Sequence, residues 1–383
     1  MKRLGIFVLL LIAVAMVPFA RSGHELPVYP SYYPHQIQIE TIAPGRAADL
    51  LLQSKIQAYI GSEPRFLNPL PDSIRAVESL GSFVIVRVNQ ESPLVKDNAA
   101  ACAVARTVVH EIAVRGGNLI FHPYPVTPFH GDYLYHIDLA DAAKARLLGN
   151  PVNAPAHQVR SLKVRAIGAR AKSLVRPDWY TQNSKWDAAV EEVSVADLVS
   201  SSATAINGWL GPPWLRTGWF QAILLLPDSL NDLRMQDRLQ AILRRLETSA
   251  YESALERINL ERELVTRLTS SCHSMVAGYT VKREFVSTEY YAGIENIESD
   301  SIEGLNSSIF VRTVKLKDFP WNGWLALGID TQPAAAWNPI AGFTDPFGRL
   351  MWSALSDPAL IPSPNDAGWI LNRISDVQSN SGR

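Results

Sequence analysis

From Asp228 to Ser271 the chain carries no glycine and no proline, the two residues that most readily break a helix. Met235, Leu239, Ile242, Leu246, Ala250, Ala254 and Ile258 recur there at steps of three or four, the spacing of one buried helical stripe. The segment therefore reads as helical, and its stripe needs an apolar partner elsewhere. Ser253 with Glu256 matches a capping box. Two helices joined near Thr248 to Glu252 thus compete with one long helix.

Upstream, short alternating runs take turns with helical ones. Gln36 to Thr41 (QIQIET) alternates as a strand does, and Ala47 to Lys55 has helical composition. Ile56 to Ile60 and Phe83 to Val88 (FVIVRV) read as strands, Asn98 to Val114 as a helix, and Leu119 to Phe121 as a short apolar strand. Strands alternating with helices point to an α/β layer with some parallel pairing. LLLQSKIQAYIG and the later SLGSFVIVRV resemble the first lobe of periplasmic solute-binding proteins. There, a helix rich in Ala and Leu ends in a short turn and a strand written much like KIQAYIG. The resemblance covers about residues 36–95. It implies a binding function, with a second lobe of similar build facing the first across a cleft.

The Pro/Asn-rich GNPVNAPAH that begins at Gly149 follows a helix over Leu139 to Leu148 and places a domain boundary there. The chain thus divides into residues 1–22 as signal peptide or signal anchor, 23–150 as an α/β domain, and 151–383 as a helix-rich α+β domain. The fold class is mixed α/β (α+β). Arg160 to Arg176 is basic throughout, and the alternation of Leu162, Val164 and Ala166 with its cations fits a strand with one solvated face. An anionic headgroup or phosphate is the other reading. In Trp209 to Leu226 the prolines and Arg216 argue against a membrane span, which leaves a buried corner between elements as the reading, with a shallow membrane-surface contact through its tryptophans as the alternative. Met275 to Ser287 and Ser308 to Leu316 alternate as strands. From Lys317 the chain is expected to be irregular, rich in Pro, Trp, Gly and Asn, with a helix near Ile370.

Hydrophobic residues make up 47% and charged residues 19%, enough for a substantial core, and the net charge of −1 argues against a nucleic-acid binder. Lys2 and Arg3 precede an apolar run from Ile6 to Ala20, short for a membrane span and suited to a secretory signal. Ala20-Arg21-Ser22 offers small residues for cleavage. A periplasmic or secreted protein is expected, or an inner-membrane-anchored one if the run is retained, touching the membrane only through that segment. An oxidising compartment would permit a bridge between Cys102 and Cys272. Cys102, within AAACAVA, reads instead as a small buried hydrophobe.

The densest chemistry lies between Asn118 and Arg146. His122, His130, Asp132 and His136 could converge on zinc or copper, since imidazole is the commonest ligand for both. Their spacing matches no established zinc signature, and histidines so placed are often satisfied separately. His110-Glu111 opens like a zincin helix, but Val114 stands where the second histidine belongs. No nucleophile elbow, P-loop or dinucleotide fingerprint occurs. Asp330, Asp345, Asp357 and Asp366 would need suitable distances to act as an acid/base pair. Trp321, Trp324, Trp337, Trp352 and Trp369 form either a sugar-stacking platform or the substitute core of a loop-rich region. The expected function is a non-enzymatic binding or accessory protein of the envelope, with a small-molecule ligand or an envelope protein as partner. A metal-dependent enzyme and a glycan-binding module are the alternatives.

Overall fold

The structure is a computed structural model describing residues 34–67, 69–149, 162–200, 213–227, 233–317, 323–333, 345–356, 358–372 and 374–376. The apolar N-terminal run, most of the Pro/Asn-rich stretch, Trp209, Trp321, Trp337 and Asp357 lie outside the described residues. Among the described residues, no helix is long and apolar enough to cross a membrane.

Among the described residues, eight of the twelve strands join one sheet. In chain order they are β1 (Gln36–Thr41), β2 (Ala58–Ile60), β3 (Ile74–Val88), β4 (Ile120–Phe121), β5 (Val164–Ile167), β6 (Ala188–Ser194) and β7 (Ser274–Ser287). A separate two-stranded pair, β8 (Ile294–Asn296) with β9 (Lys315–Leu316), precedes the last sheet strand, β10 (Trp324–Ile329). The spatial order is β1-β10-β2-β7-β3-β6-β5, with β4 also paired to β7. The β1, β10 and β2 strands run parallel, whereas β2, β7, β3 and β6 are successively antiparallel. Strands from either side of residue 150 interleave: β10 enters between β1 and β2, and β7 between β2 and β3. The boundary expected near residue 150 therefore coincides with no break in the sheet.

Both faces of the sheet are covered, which explains why FVIVRV is apolar almost without interruption. Phe83 and Ile85 join one core cluster, and Val84, Val86 and Val88 join another on the opposite face. Near β2, helix α1 (Pro44–Leu52) buries Ala47 and Leu51. It begins with Pro44, whose fixed φ suits a first helical turn. The Val84 face is covered by α2 (Asn98–Arg115), capped by the Asp97 carboxylate on Ala100 N at 2.8 Å. After α3 (Ile137–Gly149) the chain gives α4 (Ala169–Leu174), α5 (Val195–Ser200) and α6 (Gly218–Leu225).

The glycine-free stretch forms two helices, α7 (Leu233–Glu247) and α8 (Ala254–Leu268), packed against each other on the Phe83 face. Ser249 sits at φ 53° between them. Ser253 Oγ accepts from Glu256 N at 3.2 Å, and the Glu256 carboxylate accepts from Glu252 N at 2.7 Å, so the capping box is built one residue early on its return bond. The buried stripe changes phase at this turn. Leu239, Ile242 and Leu246 serve on α7, and Leu260, Leu264 and Leu268 on α8, while Ala250 and Ala254 are exposed.

Four expectations are corrected. Ser308 to Leu316 is not a strand: α9 (Ser308–Thr313) is a short helix, followed only by the two-residue β9. Ile309, Phe310 and Val311 are all buried, and a short apolar run cannot be assigned by period alone. The region after Lys317 is not merely irregular, because β10 is an inner strand and α10 (Pro346–Leu355) packs on α9. Around Ile370 lies no helix but β12 (Trp369–Leu371), paired antiparallel with β11 (Leu360–Pro362) as a hairpin. Cys102 is no isolated hydrophobe; it is bridged to Cys272, tying α2 to the start of β7 across 170 residues of sequence.

The basic stretch is shorter as a strand than expected, since β5 gives way to α4. Its cations are balanced locally. Arg170 pairs with Glu192 at 3.0 Å, and Arg176 with Asp178 at 2.7 Å. Arg165 and Lys172 lie over the rings of Trp186 and Tyr180.

Candidate ligand-binding cavity

The histidine stretch folds as a tight loop against the start of α6. Thr127 N donates to His130 Nδ1 at 2.9 Å, so the ring proton sits on Nε2, which donates to Gln221 Oε1 on α6 at 3.0 Å. The α6 N-terminus has no cap from its own Thr217 side chain. Instead Asp132 reaches across from the loop and accepts from Gly218 N at 3.0 Å and Trp219 N at 3.2 Å. A carboxylate here satisfies two orphan amides and opposes the positive end of the helix dipole. This approach requires glycine at 218, where a Cβ would fall 2.5 Å from Val126 Cγ1.

His136 is fully buried, with Nδ1 2.9 Å from the Tyr124 hydroxyl and Nε2 without a hydrogen-bond partner among the described residues. Burial drives its pKa down to about 4, so the ring is neutral. His122 donates Nε2–H to Val126 O at 2.8 Å, and burial lowers its pKa as well. The structure thus gives His122, His130, Asp132 and His136 separate partners rather than a common centre. Among the described residues, no three His, Cys, Asp or Glu side chains are grouped to hold a metal ion. The arrangement lends no support to zinc or copper.

What the loop does build is a wall. Gly131, Asp132 and Tyr135 border a cavity of about 480 Å³. Trp214, Thr217 and Trp219 line it from the approach to α6, and Leu246, Ser249, Tyr251, Arg257 and Glu261 from the α7–α8 hairpin. Trp214 and Trp219 are stacked with ring centroids 6.0 Å apart. The remaining lining comes from Asp366 to Trp369, the tip of the β11–β12 hairpin and the start of its second strand.

That tip is held by a buried ion pair. Arg216 bonds Asp300 and also donates Nη1–H to Ser363 O at 2.9 Å. Ser301 donates from its amide and its hydroxyl to Pro364 O, both at 3.1 Å. The loop and the tip touch at Gly131, where a Cβ would lie 2.4 Å from Asn365 O and 2.7 Å from Asp366 Cα. Any larger residue at 131 would push backbone against backbone.

Glu261 is the unusual member of the lining. Only 1% exposed, it takes Arg257 Nη1–H on one oxygen at 2.8 Å, while Oε2 has no partner among the described residues. Burial raises its carboxyl pKa to about 7, against the opposing pull of Arg257. Sequence reasoning missed Glu261 and the role of Trp214 and Trp219. The signal available was a charge beside Leu260 and three residues before Leu264, on the side of α8 that the stripe buries.

Two smaller cavities are less promising. One of about 230 Å³ lies where β2 and β10 end near the bulge at Gly81, lined by Lys282, Glu284 and Asp330. Glu284 there is already satisfied by Gly61 N at 3.0 Å, Leu305 N at 2.6 Å and Lys282 at 3.1 Å. The other, about 270 Å³, flanks the disulfide. Of the carboxylates weighed as an acid/base pair, Asp345 caps α10 through Gly348 N, while Asp330 and Asp366 line different cavities. Of the C-terminal tryptophans, Trp369 reaches the large cavity and Trp324 is exposed on β10.

No family model matches the chain, and no curated protein matches it in sequence. Its structure is similar to several solved ones at low identity. A nickel ABC transporter protein from Bacillus halodurans gives a TM-score of 0.41 at 11% identity, covering 70% of this chain and 60% of that one. DppA from Helicobacter pylori, an ABC transporter-associated periplasmic binding protein in complex with peptide STSA, gives 0.40 at 10%, covering 70% and 54%. NikA from Brucella suis, in complex with Fe(III)-EDTA, gives 0.32 at 13%, covering 61% and 51%. This chain spans only about half to three-fifths of the length of these three solved chains.

Proposed function

We propose that this is an exported, non-enzymatic binding protein that holds a small molecule in the cavity beneath the β11–β12 tip. The observation that carries the reading is the cavity itself. About 480 Å³ falls within the range of small-molecule sites, and its walls combine aromatic surface with a few fixed polar groups, as such sites do. The bridge between Cys102 and Cys272 supports an oxidising compartment outside the cytosol. The apolar run from Ile6 to Ala20 supplies the route there.

A thermal-shift screen of soluble metabolites tests the cavity. A ligand that binds only the folded form must raise the melting temperature. Trp214→Ala should weaken the response to any true ligand about tenfold, the order expected when a large aromatic contact is lost. Stabilising compounds that act equally on the parent and on Trp214→Ala would remove the cavity from the function. Export is tested separately by replacing Leu9 to Leu11 with charged residues, which should retain the protein in the cytosol. Normal export of that variant would refute the signal.

A further inference from the structure

We infer that the ligand of this cavity carries a protonated amine and that Glu261 is its counter-ion, an inference that rests on the cavity reading above. The lining presents three carboxylates, Asp132, Glu261 and Asp366, against one guanidinium, Arg257. An anionic ligand would meet that excess of negative charge at close range. Asp132 is engaged on both oxygens, by the Gly218 and Trp219 amides, and Asp366 is exposed and takes Gly368 N at 2.7 Å. Glu261 is buried and paired with Arg257 through one oxygen, while its Oε2 has no partner among the described residues.

A buried carboxylate oxygen without a donor is an expensive arrangement, and native structures keep few of them. A neutral ligand lacking a donor would leave Oε2 as it is. An ammonium N–H supplies both the missing donor and the opposite charge, giving a charge-assisted bond to a buried carboxylate. The rest of the wall suits the same group. Tyr135, Trp214, Trp219, Tyr251 and Trp369 are among the lining residues, and aromatic rings attract cations through the ring quadrupole. A quaternary ammonium would satisfy the rings but not Oε2, so the observations favour an amine that retains N–H.

The test uses three probes with one aromatic body: 2-phenylethylammonium, 2-phenylethanol and 3-phenylpropionate, titrated calorimetrically into the full mature protein at pH 8. The ammonium probe should bind about tenfold or more tightly than the other two, the order expected of a desolvated cation–π contact with a carboxylate. Glu261→Gln should abolish that preference while leaving 2-phenylethanol within about twofold of its parent affinity. Because this substitution removes a buried charge, the variant should melt no lower than the parent. Asp366→Asn, on the exposed tip, is a second variant expected to weaken the ammonium probe about twofold to threefold through charge alone. Equal binding of ammonium and alcohol, or a preference that survives Glu261→Gln, overturns the inference. So does failure of the ammonium probe to bind. In each case the cavity reading stands or falls separately, on whether compounds from the screen lose affinity in Trp214→Ala.

Discussion

At the scale of single residues, two buried titratable groups impose opposite pH dependences. His136 has its pKa lowered to about 4 from an ordinary value near 6.5. The unfolded chain therefore takes up the proton first as pH falls. The stability this group permits is whole above about pH 6.5 and is lost on going down to about 4, roughly 3 kcal/mol in all. Glu261 works the other way. Its pKa is raised to about 7, so the folded form holds the proton longer, and stability declines as pH rises from about 4.5 to 7. These contributions nearly cancel in the parent between pH 4.5 and 6.5. Single variants should separate them, as read by urea unfolding from pH 4 to 8. Glu261→Gln should gain roughly 3 kcal/mol at pH 8 and lose that gain toward pH 4. His136→Gln should flatten the acid limb instead. An unchanged pH profile in either variant would refute the burial argument for that group. Asp132 makes a third residue-scale case. Asp132→Ala leaves two buried amides without acceptors and should cost about 3 kcal/mol, measurable as a shift in the urea midpoint.

At the scale of elements, the disulfide and the hairpin tip carry the sharpest expectations. Closing a loop between residues 170 apart removes a large part of the unfolded chain's freedom, about 5 kcal/mol in the chain-entropy model and less if the reduced chain stays compact. The double variant Cys102→Ser with Cys272→Ser should therefore unfold at lower denaturant, and added reductant should affect the parent but not the variant. The tip is fastened by Arg216, whose charge is buried against Asp300 and whose other amine holds Ser363 O. Arg216→Met strands the Asp300 charge and frees the tip, with about 3 kcal/mol lost. Amide exchange over 363–369 should rise well before exchange in β3 and β7 does. If the tip stays protected in that variant, Gly131 and Ser301 are its true fastening. The α7–α8 turn was legible at this scale, because Ser253, Glu256 and the lack of glycine are local signals. The α9 helix was not, since six residues with three adjacent apolar side chains fit either period until packing decides.

At the scale of the whole molecule, the central sheet joins both ends of the described chain, with β1 and β10 paired at its edge. Local pattern determined most strands and helices before residue 288, among them the strand at FVIVRV. For the histidine stretch it left two readings open, a shared metal site and separately satisfied rings. What the sequence could not decide was partnership. β10 is six residues long within Pro- and Trp-rich surroundings, and it becomes an inner strand only because β1 and β2, almost three hundred residues away, leave a parallel slot for it. Cys102 looked apolar because its neighbours are, while its bond is set by a residue 170 positions on. The cavity has the same origin. Its walls come from a loop near residue 131, a turn near 214, two helices and a hairpin tip near 366, each unremarkable alone. Periodicity reports which face of an element is buried; it does not report against what. Only the tertiary fold brings Glu261 into the lining of one cavity with five aromatic residues, with an oxygen that has no partner among the described residues.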